Sequence, residues 1–78
     1  MKIKDKLTLN TDRLYRSILE HPFKFEIQGR DVIVYADVYL ECHDDGTVKS
    51  LDVFAIDYDC DIMQEALELQ IKKCIEIC

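Results

Sequence analysis

Carboxylates occupy alternate positions in Asp57-Tyr58-Asp59-Cys60-Asp61, and Glu65 and Glu68 follow. Counted from Asp57, acids fall at positions 1, 3, 5 and 12, the ligand spacing of a twelve-residue calcium loop, in which alternating carboxylates and a bidentate Glu supply six to eight oxygens. Position 6, where the sharp turn of such a loop needs Gly, is Ile62, and the preceding residues read as a strand rather than a helix. The same acids also suit a strand end, a turn and an N-cap, because negative charge is favoured beside a helix N-terminus. This second reading is preferred, and Asp57, Asp59, Asp61 and Glu68 are kept as a metal-binding alternative.

The other reactive side chains form no recognisable centre. Cys42 and His43 are adjacent on an expected strand and so point to opposite faces, and no C-x-x-C pair accompanies Cys60. Cys74 and Cys78 lie four apart on one helical stripe, where packing explains them better than a disulfide. Reduced thiols are expected at all four cysteines. Among these residues there is no glycine-rich phosphate loop, no nucleophile elbow, and no Ser or Cys beside a base. The expectation is a protein that is not an enzyme and needs no cofactor.

What remains is a surface. Tyr35, Asp37, Tyr39 and Glu41 share one phase of an alternating run, and an acidic group comprising Asp44, Asp45, Asp57, Asp59, Asp61 and Glu65 lies beyond it. Tyrosine offers a large contact area with few rotors to order, and a polar rim around such rings is the composition of a protein-binding patch. These ten residues are the expected partner-binding set.

Two turns position them. Gly29-Arg30 reads as the centre of a two-residue type II′ loop, which would pair Ile27 with Val32, Phe25 with Val34 and Phe23 with Ala36. Asp44-Asp45-Gly46 reads as a three-residue loop pairing Cys42 with Val48, Glu41 with Lys49, Tyr39 with Leu51 and Ala36 with Phe54. In that register Ser50 and Asp52 fall on the core side while Leu51 and Val53 point out, which implies either a β-bulge near Val53 and Phe54 or a distal hairpin end that projects past the core with both faces wet. A helix is expected over residues 12–20, with Leu14, Tyr15, Ile18 and Leu19 on one stripe and His21-Pro22 ending it. A second helix is expected from Asp61, with Gln64 in a capping-box position and Met63, Ala66, Leu67, Ile71, Cys74 and Cys78 on its apolar stripe. Residues 1–9 read as an extended arm or edge strand, or as an early helical turn.

The expected fold is therefore a single α+β domain over 1–78. It is a two-layer sandwich of α-β-β-β-α order, with a three-stranded antiparallel meander and two helices packed on one face. That order and length are similar to those of double-stranded-RNA-binding domains, a family that binds RNA through its first helix, a strand loop and a basic N-terminus of the last helix. Here the corresponding segment, Asp57 to Glu65, is acidic, so the residues that would carry that activity are absent.

Composition bounds the role further. The 78 residues carry a net charge of −6, unevenly placed: residues 1–30 hold seven Lys/Arg against four Asp/Glu, and residues 41–65 hold eight Asp/Glu against Lys49 alone. An acidic surface repels nucleic-acid backbones and anionic membranes and attracts basic protein surfaces. No apolar run reaches the roughly 18 residues of a membrane span. Lysines interrupt residues 1–9 where a signal peptide needs a continuous apolar core, so the mature chain is expected to start at Met1, in the cytoplasm.

The expectation is a small acidic protein acting by macromolecular binding, of the kind found among phage or mobile-element inhibitors and regulators of nucleic-acid-handling machinery. Its partner would be a protein with a basic surface, with no direct nucleic acid and no membrane. A homodimeric structural protein and a calcium- or other metal-binding module are the alternatives.

Overall fold

The computed structural model describes residues 2–56 and 61–77, with the backbone alone at 61 and 62. The elements in chain order are β1 (Lys2–Ile3), β2 (Leu7–Leu9), β3 (Tyr15–Ile27), β4 (Arg30–Cys42), β5 (Val48–Ala55), α1 (Asp61–Cys74) and β6 (Ile75–Ile77). Strands β1, β3, β4 and β5 form an antiparallel sheet in that spatial order, and β2 pairs in parallel with β6. The expected α+β sandwich is therefore corrected: the chain is mostly β, with one helix among the described residues and a curled four-stranded sheet in place of two helices on a three-stranded meander. The element order shared with double-stranded-RNA-binding domains is lost with the first helix.

The segment expected as that helix is instead the first half of β3. Strand β4 alternates over 13 residues, burying Val34, Ala36, Val38, Leu40 and Cys42 between exposed or half-exposed neighbours. Its N-H and C=O groups at 38, 40 and 42 would lack partners beside a helix, a larger loss than any local helical preference can offset. Residues 15–18 supply them, with Ile18 opposite Val38, Arg16 opposite Leu40, and the Cys42 amide donating to the Leu14 carbonyl at 2.8 Å. Pro22 does not stop β3. The Lys24 amide, in the same phase, points away from β4 and donates to Asp5 Oδ2 at 2.7 Å, so a residue two positions earlier needs no N-H toward β4.

Both hairpins differ from expectation in register. Gln28 (φ 51°) and Gly29 (φ 76°) are both left-handed, which makes the β3–β4 loop a type I′ turn centred one residue earlier than expected, with Ile27 opposite Arg30, Phe25 opposite Val32 and Phe23 opposite Val34. The pairing sum changes by two, so every side chain keeps its face. In the β4–β5 hairpin Cys42 faces Val48, but the register then shifts by one, so that Glu41 faces Ser50, Leu40 faces Leu51 and Val38 faces Val53. The bulge lies at Lys49, not near Val53. Leu51, Val53 and Ala55 therefore face the core, and Ser50, Asp52 and Phe54 face outward. A second bulge sets Leu19 and Glu20 opposite Asp37. Bulges on both neighbours of β4 bend the flanking strands and increase their twist, which accounts for the curl.

The core lies on one face of the sheet. Phe23, Phe25, Val34, Ala36, Val38, Leu40 and Val53 are covered by Leu67 and Ile71 of α1 and by Leu9 of the β2–β6 pair. His21 is on this face as well, its ring 4.6 Å from that of Phe23 and its Nδ1 buried without a partner. Helix α1 packs chiefly on β5. It turns Gln64 and Glu68 toward Ala55: the Ala55 amide donates to Glu68 Oε2 (2.9 Å), and Gln64 Nε2 donates to the Ala55 carbonyl (3.2 Å). Gln64 thus closes a strand edge here. The helix ends at Cys74, short of the stripe expected to reach Cys78, which lies outside the described residues, because the chain passes directly into β6, where Leu7 faces Ile75 and Leu9 faces Ile77. No helix among the described residues is long and apolar enough to cross a membrane.

Candidate functional site

The opposite face of the sheet is uncovered. Pro22 and Tyr35 form one row on it, Asp37 and Phe54 the next, then Ser17, Tyr39 and Asp52, and finally Tyr15, Glu41 and Ser50. Large apolar groups stand open along these rows: Tyr15 is 70% exposed, Phe54 53%, Tyr35 49% and Tyr39 39%. The rings of Tyr39 and Phe54 meet edge to face at 5.8 Å, which fixes their orientation without burying either.

At the far end from the β3–β4 turn, the side chains on this face enclose a concavity. A depression of about 330 Å³ is lined by Tyr15, Ser17, Tyr39, Glu41, Ser50 and Asp52, with the backbone level of Arg16 and Leu40 as its floor. Two aromatic rings, two hydroxyls and two carboxylates converge there from three strands. Lys49 Nζ lies 3.3 Å from Glu41 Oε1. Among the described residues no cation is paired with Asp52. A smaller hollow at the strand tips shares Tyr15 and Glu41 and also touches His43 and Asp44.

The expected partner-binding residues separate into groups. Tyr35, Asp37, Tyr39 and Glu41 lie together on the outer face of β4, and Tyr39 and Glu41 reach the concavity. Asp37 is also structural, accepting the Glu20 amide at 2.8 Å. Asp44 and Asp45 sit in the β4–β5 turn. Asp45 Oδ1 accepts both the hydroxyl (2.6 Å) and the amide (2.9 Å) of Thr47, which hold its carboxyl below the usual carboxylate range. Glu65 is exposed on α1, in the layer on the other side of the sheet. Asp57 and Asp59 lie outside the described residues, and of Asp61 only the backbone is described. Glu68, the twelfth position of the metal alternative, directs its carboxylate at the Ala55 amide. Among the described residues, no three His, Cys, Asp or Glu side chains are grouped to hold a metal ion. Cys42 and Cys74 are free thiols, and burial pushes the Cys74 thiol above its ordinary pKa.

Tyr15, Ser17, Ser50, Asp52 and Phe54 are missing from the expected set. Tyr15 and Ser17 belonged to the expected helix, and the other three had the wrong face because the bulge was set four to five residues too late. The available signal was the in-phase series Leu51, Val53 and Ala55, which requires Ser50, Asp52 and Phe54 to face outward. The chain matches no protein-family model, no curated protein and no solved structure.

Proposed function

We propose that this chain is a non-enzymatic binding protein that engages a basic protein surface through the uncovered face of its four-stranded sheet. One observation carries the reading: Tyr15, Tyr35, Tyr39 and Phe54 stand exposed on a single face, with Glu41 and Asp52 between and beside them. Exposed rings grouped on one face, with carboxylates at their margin, supply an apolar anchor and an electrostatic guide together. Proteins with basic surfaces include the machinery that handles nucleic acids, and we include in the proposal a role as its cytoplasmic inhibitor or regulator, as in phage and mobile elements.

The test is affinity capture from the native host at low and high ionic strength, with wild type beside a Tyr39→Ser/Phe54→Ser variant. Both replaced side chains are surface groups, so the variant should fold, as its circular dichroism will report. A basic protein held by wild type, released by salt and not retained by the variant is the expected result. Equal capture by a folded variant would remove this face from the function. A dimer in which these four residues are protected, seen by sedimentation and hydrogen exchange, would assign the face to self-association instead.

A further inference from the structure

We infer that the concavity at the far end of the sheet seats a single guanidinium group, the side chain of an arginine on the partner's surface. This rests on the binding role proposed above and names the group recognised. The charge balance of the site is the first argument. Glu41 and Asp52 bring two negative charges; Lys49 already neutralises part of one at 3.3 Å, and the guanidinium of Arg16, whose residue also lines the depression, is held by Asp12 at 3.0 Å, which leaves Asp52 as the carboxylate able to take one further cation. The Lys49 contact also shows that this wall accepts a cation. An anion would meet two carboxylates, and a neutral group would leave Asp52 uncompensated.

Shape and donor count decide between the cations. The open walls are the rings of Tyr15 and Tyr39, and a guanidinium can lie flat on a tyrosine face while its edge donates hydrogen bonds. Its five N-H groups lie in one plane. The floor and rim offer matching acceptors in the Asp52 carboxylate, the Ser17 and Ser50 hydroxyls and the free lone pairs of Glu41. An ammonium group is a more strongly hydrated point charge with no planar face, so it would use the carboxylates and gain less from the rings than a stacked guanidinium. A volume of about 330 Å³ suits one side chain and is too small for a helix or a loop.

The experiment is an amide-resolved NMR titration of the full chain with N-acetyl-arginine amide, and with the lysine and citrulline amides as probes of equal backbone. Arginine should shift the amides of Ser17, Tyr39, Ser50 and Asp52, lysine should bind several-fold more weakly, and citrulline should leave the spectrum unchanged. Asp52→Asn should weaken arginine binding about tenfold, the scale of one lost charge-assisted hydrogen-bond pair. Lys49→Gln should strengthen it by releasing Glu41. Equal response to arginine and lysine, response to citrulline, or shifts only elsewhere would overturn the assignment. Because the three probes are compared on the unaltered chain, no variant has to fold for the result to decide. Should a basic protein still be captured through Tyr39 and Phe54 while arginine amide fails to bind, the arginine assignment falls and the binding role stands.

Discussion

Asp37 Oδ1 accepts the backbone amide of Glu20 at 2.8 Å, so a carboxylate from the outer face of β4 closes the bulge in the strand beside it. Glu20 sits at φ 52°, a left-handed conformation that costs a non-glycine residue about 1–2 kcal/mol. Asp37→Ala removes the acceptor without filling the gap. With the site open to water, the loss should be about 1 kcal/mol. Urea denaturation is the measurement, and faster amide exchange at Glu20 but not at Val38 would tie the loss to the bulge.

The β3–β4 turn holds Gln28 at φ 51° ahead of Gly29. Asn-Gly is the preferred pair for a type I′ turn because Asn tolerates the left-handed region. Gln28→Asn should raise stability by about 0.5–1 kcal/mol. Had Gly29-Arg30 formed a type II′ loop, Gln28 would sit outside the turn centre and the substitution would have no such effect.

Leu67 is fully buried, whereas Leu69 is 54% exposed, although they are two residues apart on α1. Leu67→Ala should cost about 2–5 kcal/mol, a large part of the stability of a domain this size. Leu69→Ala should change stability by less than about 0.5 kcal/mol. Thermal melts of the two variants check the orientation of the helix directly.

Glu68 and Gln64 together occupy both backbone groups of Ala55 on the outer edge of β5. Glu68→Ala leaves a part-buried amide without an acceptor and should destabilise by about 1–2 kcal/mol. Hydrogen exchange at Ala55 should accelerate well before that at Phe54, whose amide faces β4. Uniform acceleration would mean that α1 had detached rather than that one edge had opened.

The pair Lys4–Asp31, at 2.7 Å, links the loop after β1 to the start of β4. The Lys4 ammonium donates to Asp31 and holds its carboxyl below the ordinary range, and Lys4 lies above the ordinary lysine range for the same reason. A carboxyl lowered on folding stabilises fully above its unfolded pKa, about 4, and the contribution is lost as pH falls through the folded value. A lysine raised on folding contributes below about pH 10.5 and loses the contribution as pH rises through its folded value. Both groups are exposed, so the effect is small. The stability difference between wild type and Asp31→Asn should be flat across the neutral range and shrink at both extremes. A difference that grew toward acid would contradict the sign.

The hairpins and the helix from Asp61 were legible because each carries a local signal, a glycine turn or a capping acid ahead of an apolar period. The phase of Phe23, Phe25, Val34 and Ala36 was legible too, since an error of two in register leaves faces unchanged. Residues 12–20 were misread because Leu14, Tyr15, Ile18 and Leu19 fit a helical stripe, and what overrides it is the hydrogen-bonding demand of β4, some twenty residues away. The bulge at Lys49 has no marker of its own, since any residue can occupy it. Half of the concavity was hidden for these two reasons, and the strand that alternates most plainly, β4, provided Tyr39 and Glu41.

The parallel pairing of Leu7–Leu9 with Ile75–Ile77 sets a schedule for folding. Leu9 belongs to the core, yet the strand it pairs with is separated from it by nearly the whole chain. On a ribosome, the long β3–β4 hairpin can form as soon as it emerges, but Leu9 gains its neighbour only after residues 75–77 have left the exit tunnel. Until then the nascent hairpin would carry an unfinished apolar face, and a ribosome stalled before Ile75 would leave a product that holds the uncovered tyrosine-bearing face but cannot close its core.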